Sequence, residues 1–323
     1  MRRVASGALP CLSMNRSEGD GSVSDSGAGT TRRELPSDAQ SLAPMGESFE
    51  RAIDSGLAEL GIADGPAGAQ RARRSYEAHA RLLRDWGAVI NLTAIREPED
   101  VARRHVCDSL SAVPHLAGQV RPEMSLLDIG SGGGYPGLPL AAALPLTRVG
   151  LLDSVTKKAR FLAVAAAAVR LALVEDDAVK QISGPGGAQV PHEAAAGASS
   201  TAPLIEALAE RAEDLAEEPE HRGTWDVVTA RAVGSLAEVV ELGMPLASEG
   251  GVVVAWKREE ERDGLLAELR RAGSIIRATG GGRPEVLAVD VPSLPGHRLV
   301  MVPKEQPTPA SYPRPAGVRR RRR

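Results

Sequence analysis

The chain has 323 residues, of which 42% are hydrophobic, with 39 Lys and Arg against 42 Asp and Glu and a net charge of −3. This length and apolar content suffice for one large or two modest domains with a buried core. The two Cys exclude a disulfide framework and predict a reducing, cytoplasmic compartment. With only eight aromatic residues, a protein that stacks many bases on aromatic platforms is disfavoured.

The first 46 residues are rich in Ser, Gly and Asp and contain almost no large apolar side chains. Such a segment buries too little surface to offset the entropy of ordering, so we predict a disordered leader over 1–46. Gly7 and Pro10 interrupt its short apolar stretch, which disfavours a signal peptide. No apolar run in the chain approaches ~20 residues, so no membrane span is predicted.

A helical segment is predicted over 47–122, before the first strand. Apolar residues recur at helical spacing in its first helix, which Gly61 ends, and again in its second helix. A third helix is predicted from Pro98 to Leu110. The second helix also carries scattered basic residues, which are Arg71, Arg73, Arg74, Arg81 and Arg84.

From Met124 onwards, short aliphatic runs alternate with helical patterns. The predicted strands are Ser125–Ile129, Arg148–Leu152, Trp225–Ala230, Gly251–Trp256, Pro284–Val291 and His297–Val302. The predicted helices between them are Pro136–Leu144, Thr156–Val169, Leu236–Leu246 and Asp263–Ala272. This alternation predicts an α/β fold over 123–303, with a mostly parallel, doubly wound sheet and an N-terminal helical extension.

Two stretches lack this alternation. Residues 178–203 contain Gly184-Pro185-Gly186-Gly187 without periodicity, which predicts a disordered insertion in a surface loop. Residues 304–323 form a basic tail with four Pro and five terminal Arg. The tail is either a phosphate-binding segment or a solubilising one.

The most informative string runs from Leu126 to Gly137, Leu-Leu-Asp-Ile-Gly-Ser-Gly-Gly-Gly-Tyr-Pro-Gly, at a strand-to-helix junction. Glycines there permit a tight turn and a close approach of backbone to a ligand. The dinucleotide pattern Gly-x-Gly-x-x-Gly fails, because counting from Gly130 its last position is Tyr135. Gly130, Gly132 and Gly134 are therefore predicted to bind a cofactor other than a dinucleotide.

Two acidic residues narrow the cofactor. Asp128 lies two residues before Gly130, where its carboxylate would repel a pyrophosphate but suits a cationic ligand such as S-adenosylmethionine. Asp153 ends the next strand, 23 residues after Gly130. A carboxylate at that offset can accept hydrogen bonds from both ribose hydroxyls, so both residues are predicted to bind the cofactor.

Methyl transfer from a sulfonium is an in-line displacement, in which the enzyme mainly aligns donor and acceptor. The strand ending at Ala230 is followed by Arg231-Ala232-Val233, without the Pro-Pro-aromatic turn that orients an exocyclic amine and without a Pro-Cys nucleophile. These absences favour an acceptor that is already nucleophilic, such as guanine N7. Arg231 is at a strand's carboxyl end, where ligands bind; a plain surface arginine is the alternative.

Six motifs together suggest a family. In order they are Asn91-Leu92-Thr93, Arg104-His105-x-x-Asp108-Ser109-Leu110, the Asp128–Gly137 string, Leu151-Leu152-Asp153-Ser154, Arg211-Ala212-Glu213-Asp214 and Thr229-Ala230-Arg231-Ala232. Over about residues 48–304 the chain resembles the bacterial ribosomal RNA small subunit methyltransferase G family, also called glucose-inhibited division protein B. Its tail resembles that of actinobacterial members.

The resemblance implies a Rossmann-like class I methyltransferase that uses S-adenosylmethionine, without a metal, to methylate N7 of one guanine in 16S rRNA near the decoding site. It implies that Gly130 and Tyr135 line the methionine end of the cofactor, that Asp153 holds the ribose and that Ala212 and Glu213 flank the adenine. Arg231 is implied to lie between cofactor and acceptor as the catalytic residue. The resemblance places Arg211 and Arg298 where the family has basic residues tied to activity or RNA contact. His105 and Lys257 are further candidates for substrate or RNA contacts; the alternatives are a helix-face histidine and a solvated charge.

One departure from the family and two alternative functions stay open. The family has a short strand before Arg-Ala-Glu, whereas Leu204–Glu210 is equally compatible with a helix, which puts the adenine contacts in doubt. One alternative is a methyltransferase that acts on a small molecule or a protein. The other is a non-catalytic nucleotide-binding or RNA-binding module.

The net charge does not exclude an RNA partner. Residues 304–323 carry +6 and residues 174–224, which include the predicted insertion, carry −8. The rest of the chain is close to neutral, with basic residues gathered in the helical segment and the tail. This distribution permits a local basic footprint on 16S rRNA or on the small ribosomal subunit.

Overall fold

The computed structural model describes residues 35–121, 123–182, 202–259 and 264–320. Its helices are α1 (Glu47–Glu59), a 3₁₀ turn (Pro66–Gly68), α2 (Gln70–Gly87), α3 (Pro98–Val101), a π-helical segment (Ala102–Cys107), α4 (Asp108–Leu110), α5 (Val113–Leu116), α6 (Gly137–Ala143), α7 (Thr156–Ile182), α8 (Ala212–Leu215), α9 (Leu236–Gly243), α10 (Gly264–Ala278) and α11 (Ala316–Arg320). Its strands are β1 (Ser125–Ile129), β2 (Arg148–Leu152), β3 (Leu204–Leu208), β4 (Trp225–Arg231), β5 (Ala247–Arg258), β6 (Glu285–Ala288) and β7 (His297–Pro303).

The seven strands form one sheet in the order β3-β2-β1-β4-β5-β7-β6. The first five are mutually parallel, and β7 is antiparallel to both of its neighbours. The order reverses between β1 and β4, which creates the crevice in which doubly wound sheets bind ligands. The predicted α/β fold, with a mostly parallel and doubly wound sheet, is confirmed.

Helices cover both faces of the sheet, which explains why the central strands are continuously apolar. Leu126 and Val227 pack into the core that also contains side chains of α1, α2, α6 and α7. Their neighbours Leu127 and Val228 pack into a second core with α8, α9 and α10. The period-two alternation of the strands thus supplies both cores. No helix in the described ranges is long and apolar enough to cross a membrane.

The predicted leader requires a correction at its end. Residues 35–46 pack against the helical segment, with Ala39 and Met45 each 4% exposed. Trp86 Nε1 donates to the Pro36 carbonyl at 2.7 Å, and Arg84 donates to the carbonyls of Ala43 and Pro44. Few apolar residues are therefore needed to order residues 35–46, because side chains of α2 donate hydrogen bonds to the backbone carbonyls of this segment. Residues 1–34 lie outside the described residues.

The predicted insertion is also too long at both ends. Helix α7 continues to Ile182, and β3 begins at Leu204; residues 183–201 lie outside the described residues. The stretch compatible with a helix is in fact strand β3, which pairs in parallel with all of β2. An ion pair of 2.6 Å between Arg148 and Glu206 joins these two strands. Pairing with a neighbouring strand therefore overrides the helix preference of Leu, Glu and Ala.

Within the predicted helical segment, 47–122, the structure has α1 to α5, and their apolar side chains share a core with the sheet. The predicted third helix is present as α3, the π-helical segment and α4 in direct succession. π-Helical turns inside helices are frequent at functional sites. Here the segment carries Arg104 and His105.

Candidate active site

The glycine-rich loop between β1 and α6 has left-handed backbone at positions where only glycine is unstrained. Gly130 has φ 68°, and Gly134 has φ 84°. A Cβ atom on Gly134 would lie 2.7 Å from Leu138 and 2.8 Å from His79 Nε2, and one on Gly130 would lie 2.8 Å from Val233. The loop is therefore folded tightly at the edge of the sheet where β1 and β4 end.

Asp128 holds this loop from beneath. Its carboxylate is fully buried and accepts hydrogen bonds from the Gly137 N–H at 3.0 Å, from Ser131 Oγ at 2.8 Å and from Thr229 Oγ1 at 3.0 Å. Burial raises the pKa of Asp128 to about 6, although these hydrogen bonds oppose the shift. The buried carboxylate of Asp128 thus joins β1, β4 and α6, and its predicted contact with the cofactor stays a prediction.

Asp153 is placed as predicted, at the end of β2 beside the loop. Its Oδ2 accepts from the Gly132 N–H at 3.1 Å, and its Oδ1 accepts from the Val155 N–H at 2.9 Å. Lys158 Nζ is 3.9 Å from Oδ2. These contacts fix the carboxylate at the wall of a cavity of about 370 Å³, a volume typical of ligand sites.

The same cavity brings together residues from several separate parts of the chain. It is lined, among others, by Gly130, Asp153, Arg211, Ala212, Glu213 and Arg319. Strand β3 leads into α8, so the strand puts Ala212 and Glu213 opposite Asp153. Arg211 is exposed at this position. Strand β3 is thus the strand that the family has before Arg-Ala-Glu, and the adenine contacts of Ala212 and Glu213 stay a prediction.

Tyr135 ends the loop between two imidazole rings. Its ring centroid is 4.4 Å from that of His79 and 4.7 Å from that of His105, and both pairs are stacked. His79 Nε2 donates to the Gly133 carbonyl at 2.7 Å. Burial lowers the pKa of His79 to about 4, so the ring is neutral at physiological pH. The Arg231 guanidinium lies 5.3 Å from the Tyr135 ring centroid, within reach of a cation–π contact.

Arg231 is the centre of an arginine cluster, which we define as Thr93, His105, Asp108, Arg231 and His297. Arg231 Nη1 contacts Asp108 Oδ2 at 2.8 Å, and Nη2 contacts His105 Nδ1 at 3.2 Å. Asp108 Oδ1 lies 2.7 Å from His297 Nδ1, and His105 Nε2 lies 2.8 Å from Thr93 Oγ1. Every functional atom of the two inner side chains, His105 and Asp108, is thereby engaged.

The charges in the cluster are set by burial and by these contacts. Burial alone would raise the pKa of Asp108, but the hydrogen bond from His297 and the positive charge of Arg231 outweigh it and lower that pKa. Burial, followed by the charge of Arg231, lowers the pKa of His105 to about 3. A neutral His105 donates to Thr93 and accepts from Arg231, so it orients the guanidinium.

Two predicted RNA contacts are engaged within the protein. Lys257 Nζ is 2.7 Å from Glu268 Oε1 and donates to the Gly234 carbonyl at 2.9 Å, so it fixes the loop after β4. Arg298 Nη2 is 2.7 Å from Glu259 Oε2. Both side chains are mostly buried, with 12% and 22% exposed. Their positions do not favour a contact with RNA phosphates.

Several residues of the site escape sequence reasoning. Asp108 is part of a motif, but only the fold shows that it faces Arg231. His79, His297 and Arg319 have no local signal, because each meets its partner through contacts that are distant in sequence. Cys107, next to Asp108 in the chain, is buried in the core.

Comparisons with known proteins agree with this geometry. The family model described as rRNA small subunit methyltransferase G (GidB) matches residues 73–183 and 196–274. The "Ribosomal RNA small subunit methyltransferase G" of Dehalococcoides mccartyi (strain CBDB1) is 37% identical over 75% of this chain and 88% of its own. The proteins of the same name from Symbiobacterium thermophilum and Deinococcus radiodurans are 33% and 34% identical, over 84% and 86% of this chain and 96% and 92% of their own. The predicted resemblance is confirmed, and the chain belongs to the rRNA small subunit methyltransferase G family.

Proposed function

We propose that this protein is an S-adenosylmethionine-dependent methyltransferase that methylates N7 of a specific guanine in 16S rRNA near the decoding site. Membership of the family and the names of its relatives support the reaction class. The observation that carries the proposal is the position of Arg231, which ends β4 beside the glycine-rich loop and contacts Tyr135. The cofactor cavity and the acceptor site thus meet at the point where the strand order reverses.

Gly130 and Asp153 line the cavity, and both fit the cofactor. Gly130 lies at the methionine end together with Gly132, Gly134 and Tyr135 of the same loop, while Asp153 accepts hydrogen bonds from the ribose. Ala212 and Glu213 lie beside the adenine. The cofactor supplies a methyl group activated on a sulfonium. Asp128 contributes to cofactor binding indirectly, because its hydrogen bonds hold the glycine-rich loop in place.

The acid–base properties of the site favour an acceptor that needs no deprotonation. The low pKa values of His79 and His105 make both rings weak bases at neutral pH. The Arg231 guanidinium is paired with the Asp108 carboxylate. Guanine N7 carries a free lone pair, so the protein has only to align the base and exclude water. An Arg231 guanidinium can donate to guanine O6 and so orient the adjacent N7.

The charged surface supports an RNA partner, but α2 contributes less to it than its five arginines suggest. In α2, Arg81 pairs with Glu77 at 2.6 Å, Arg84 pairs with Asp85 at 3.2 Å and Arg73 pairs with Asp54. These pairs neutralise much of the predicted basic face. Arg104, Arg211 and Arg258 are instead exposed: Arg104 lies in the π-helical segment, Arg211 follows β3 and Arg258 ends β5. We assign these three arginines to phosphate contacts with 16S rRNA in the small subunit or its assembly intermediate.

The test is methyl transfer from labelled S-adenosylmethionine to 30S subunits and to naked 16S rRNA, both prepared from a strain that lacks this gene. We expect label in one guanine, identified by cleavage at N7-methylguanine. Arg231→Ala should reduce kcat by about 100-fold or more, because an oriented cation is lost from the acceptor site. Arg270→Ala, an exposed arginine on α10, is the matched control.

Cofactor binding without transfer to any RNA would contradict the proposal and favour a non-catalytic module. Label in a protein or a small molecule, with none in RNA, would favour the other alternative.

A further inference from the structure

The C-terminal strap, defined as residues 304–320, is fastened to the body of the protein where it leaves the sheet. Lys304 is 3% exposed, and its Nζ donates to the Met244 carbonyl at 2.7 Å. Arg222, which precedes β4, donates to the carbonyls of Thr308 at 3.2 Å and Tyr312 at 3.1 Å. Side chains of the body thus hold the backbone of the strap in one path.

A largely buried ion pair fixes the middle of the strap to α9. Arg314 Nε and Nη2 donate to the two oxygens of Glu241 at 2.7 and 2.6 Å, and the Arg314 N–H donates to Oε1 at 3.0 Å. The Glu241 side chain is only 3% exposed. Because a bidentate pair constrains both distance and orientation, the direction of the following helix α11 is defined.

The end of the strap reaches the cofactor cavity. Ala316 and Arg319 line this cavity together with Asp153, Ala212 and Glu213. The Arg319 guanidinium contacts the Glu213 carboxylate and donates to the Arg314 carbonyl at 2.8 Å. The side chains of Arg319 and Glu213 are 10% and 18% exposed, so water screens their contact weakly.

We propose that the C-terminal strap is a wall of the adenine end of the cofactor site, in which Arg319 is a positioning residue that holds Glu213. This inference rests on the proposed function, because it requires S-adenosylmethionine in the cavity. It also gives part of the basic tail a structural role, since Arg314 pairs with Glu241 and Arg319 pairs with Glu213. Arg231 is not among the residues that line the cavity with Arg319, so we expect the strap to set cofactor affinity rather than the rate of transfer.

The test compares Arg319→Met, which removes the charge at similar length, with Arg319→Lys, which keeps it. Calorimetric titration of the full chain with S-adenosylmethionine should give a Kd at least tenfold higher for Arg319→Met than for the unchanged protein. Arg319→Lys should have an intermediate Kd. At saturating cofactor, kcat should stay close to that of the unchanged protein. Arg270→Met is the control, because it removes a charge from an exposed position on α10.

A cofactor Kd for Arg319→Met equal to that of the unchanged protein would overturn the inference and leave the proposed function intact. Weakened cofactor binding in a protein that methylates no RNA would support the strap and overturn the proposed function. An unchanged protein that does not bind S-adenosylmethionine would overturn both.

A second measurement avoids any dependence on the folding of the variant. In the unchanged protein, amide hydrogen exchange over Ala316–Arg320 should slow when S-adenosylmethionine is added. Exchange that does not change in this segment, while amides of the glycine-rich loop become protected, would also overturn the inference.

Discussion

The glycine-rich loop and the arginine cluster lie side by side, but different contacts hold them. In the loop, carboxylates accept from backbone N–H groups that are near in sequence: Gly137 is nine residues from Asp128, and Val155 is two from Asp153. In the arginine cluster, Arg231 meets Asp108 across 123 residues, and His297 meets Asp108 across 189. The backbone of the glycine-rich loop is therefore fixed in part by carboxylates that are near in sequence, whereas the arginine cluster depends on tertiary packing.

This difference has a functional consequence. A loop shaped by its own glycines and by buried Asp128 keeps its conformation when a side chain of the cluster is changed. The cluster depends on the docking of the π-helical segment, β4 and β7 against one another. Changes in the two regions should therefore separate cofactor affinity from the rate of transfer.

The largest effect is expected from Asp153→Ala. The change removes the proposed ribose acceptor and leaves the Gly132 and Val155 N–H groups without their carboxylate. We expect the Kd for S-adenosylmethionine to rise about 100-fold, since hydrogen bonds to charged groups are the stronger ones. Calorimetry measures this, with Asp64→Ala, an exposed aspartate, as control. Equal affinities of the two variants would contradict the role of Asp153.

A second, smaller effect is expected from Asp108→Asn. The amide cannot pair with both Arg231 and His297, so the guanidinium loses its fixed orientation. We expect kcat to fall roughly 30-fold, because small misplacements of an aligning group are costly. The Kd for the cofactor should be unchanged. A parallel loss of cofactor affinity in a variant that unfolds at the usual temperature would show that the two regions are not separable.

A third effect concerns stability and pH at the contact between the regions, where His79 of α2 bonds the loop. Its pKa is lowered to about 4 in the folded protein, against about 6.5 when unfolded. As pH falls below 6.5, the unfolded chain binds a proton that the folded protein does not. The free energy of unfolding therefore decreases with falling pH, by up to about 1.4 kcal/mol per pH unit from this group.

His79→Gln retains a donor for the Gly133 carbonyl and removes this titration. Urea unfolding at pH 7, 6 and 5 should show a shallower pH dependence for the variant than for the unchanged protein. His105 titrates in both proteins, so the difference between the two profiles isolates His79. Parallel profiles would contradict the burial of a neutral ring.

The smallest effect is expected from Arg81→Gln. Since Arg81 is paired with Glu77, we expect an unchanged KM for the RNA substrate and an unchanged salt dependence. Arg258→Gln should instead raise the KM and reduce the salt slope by about one, as for a lost phosphate contact. If the two variants weaken RNA binding equally, α2 is part of the RNA surface after all.

Part of the site follows from the sequence because its determinants are local. The run from Ser125 to Gly137 predicts a buried strand and a tight turn before a helix, and Asp153 follows the next strand at a fixed offset. The order of the end of the leader does not follow from local sequence. Nothing local distinguishes residues 35–46 from the rest of the leader, since their order comes from Arg84 and Trp86. Likewise the helix-compatible stretch 204–208 becomes a strand because β2 offers an edge.

By itself the sequence determined the α/β fold, the family, the glycine-rich loop and the position of Arg231 at a strand end. Hydrophobic periodicity, the glycine requirement and strand order act over short distances along the chain, so they are visible without coordinates. Only the tertiary structure decided that Asp108 and His105 hold Arg231, that Lys257 and Arg298 face carboxylates, and that the strap reaches Glu213. These are pairings of polar and charged groups, and the sequence near each group does not specify which partner the fold brings to it.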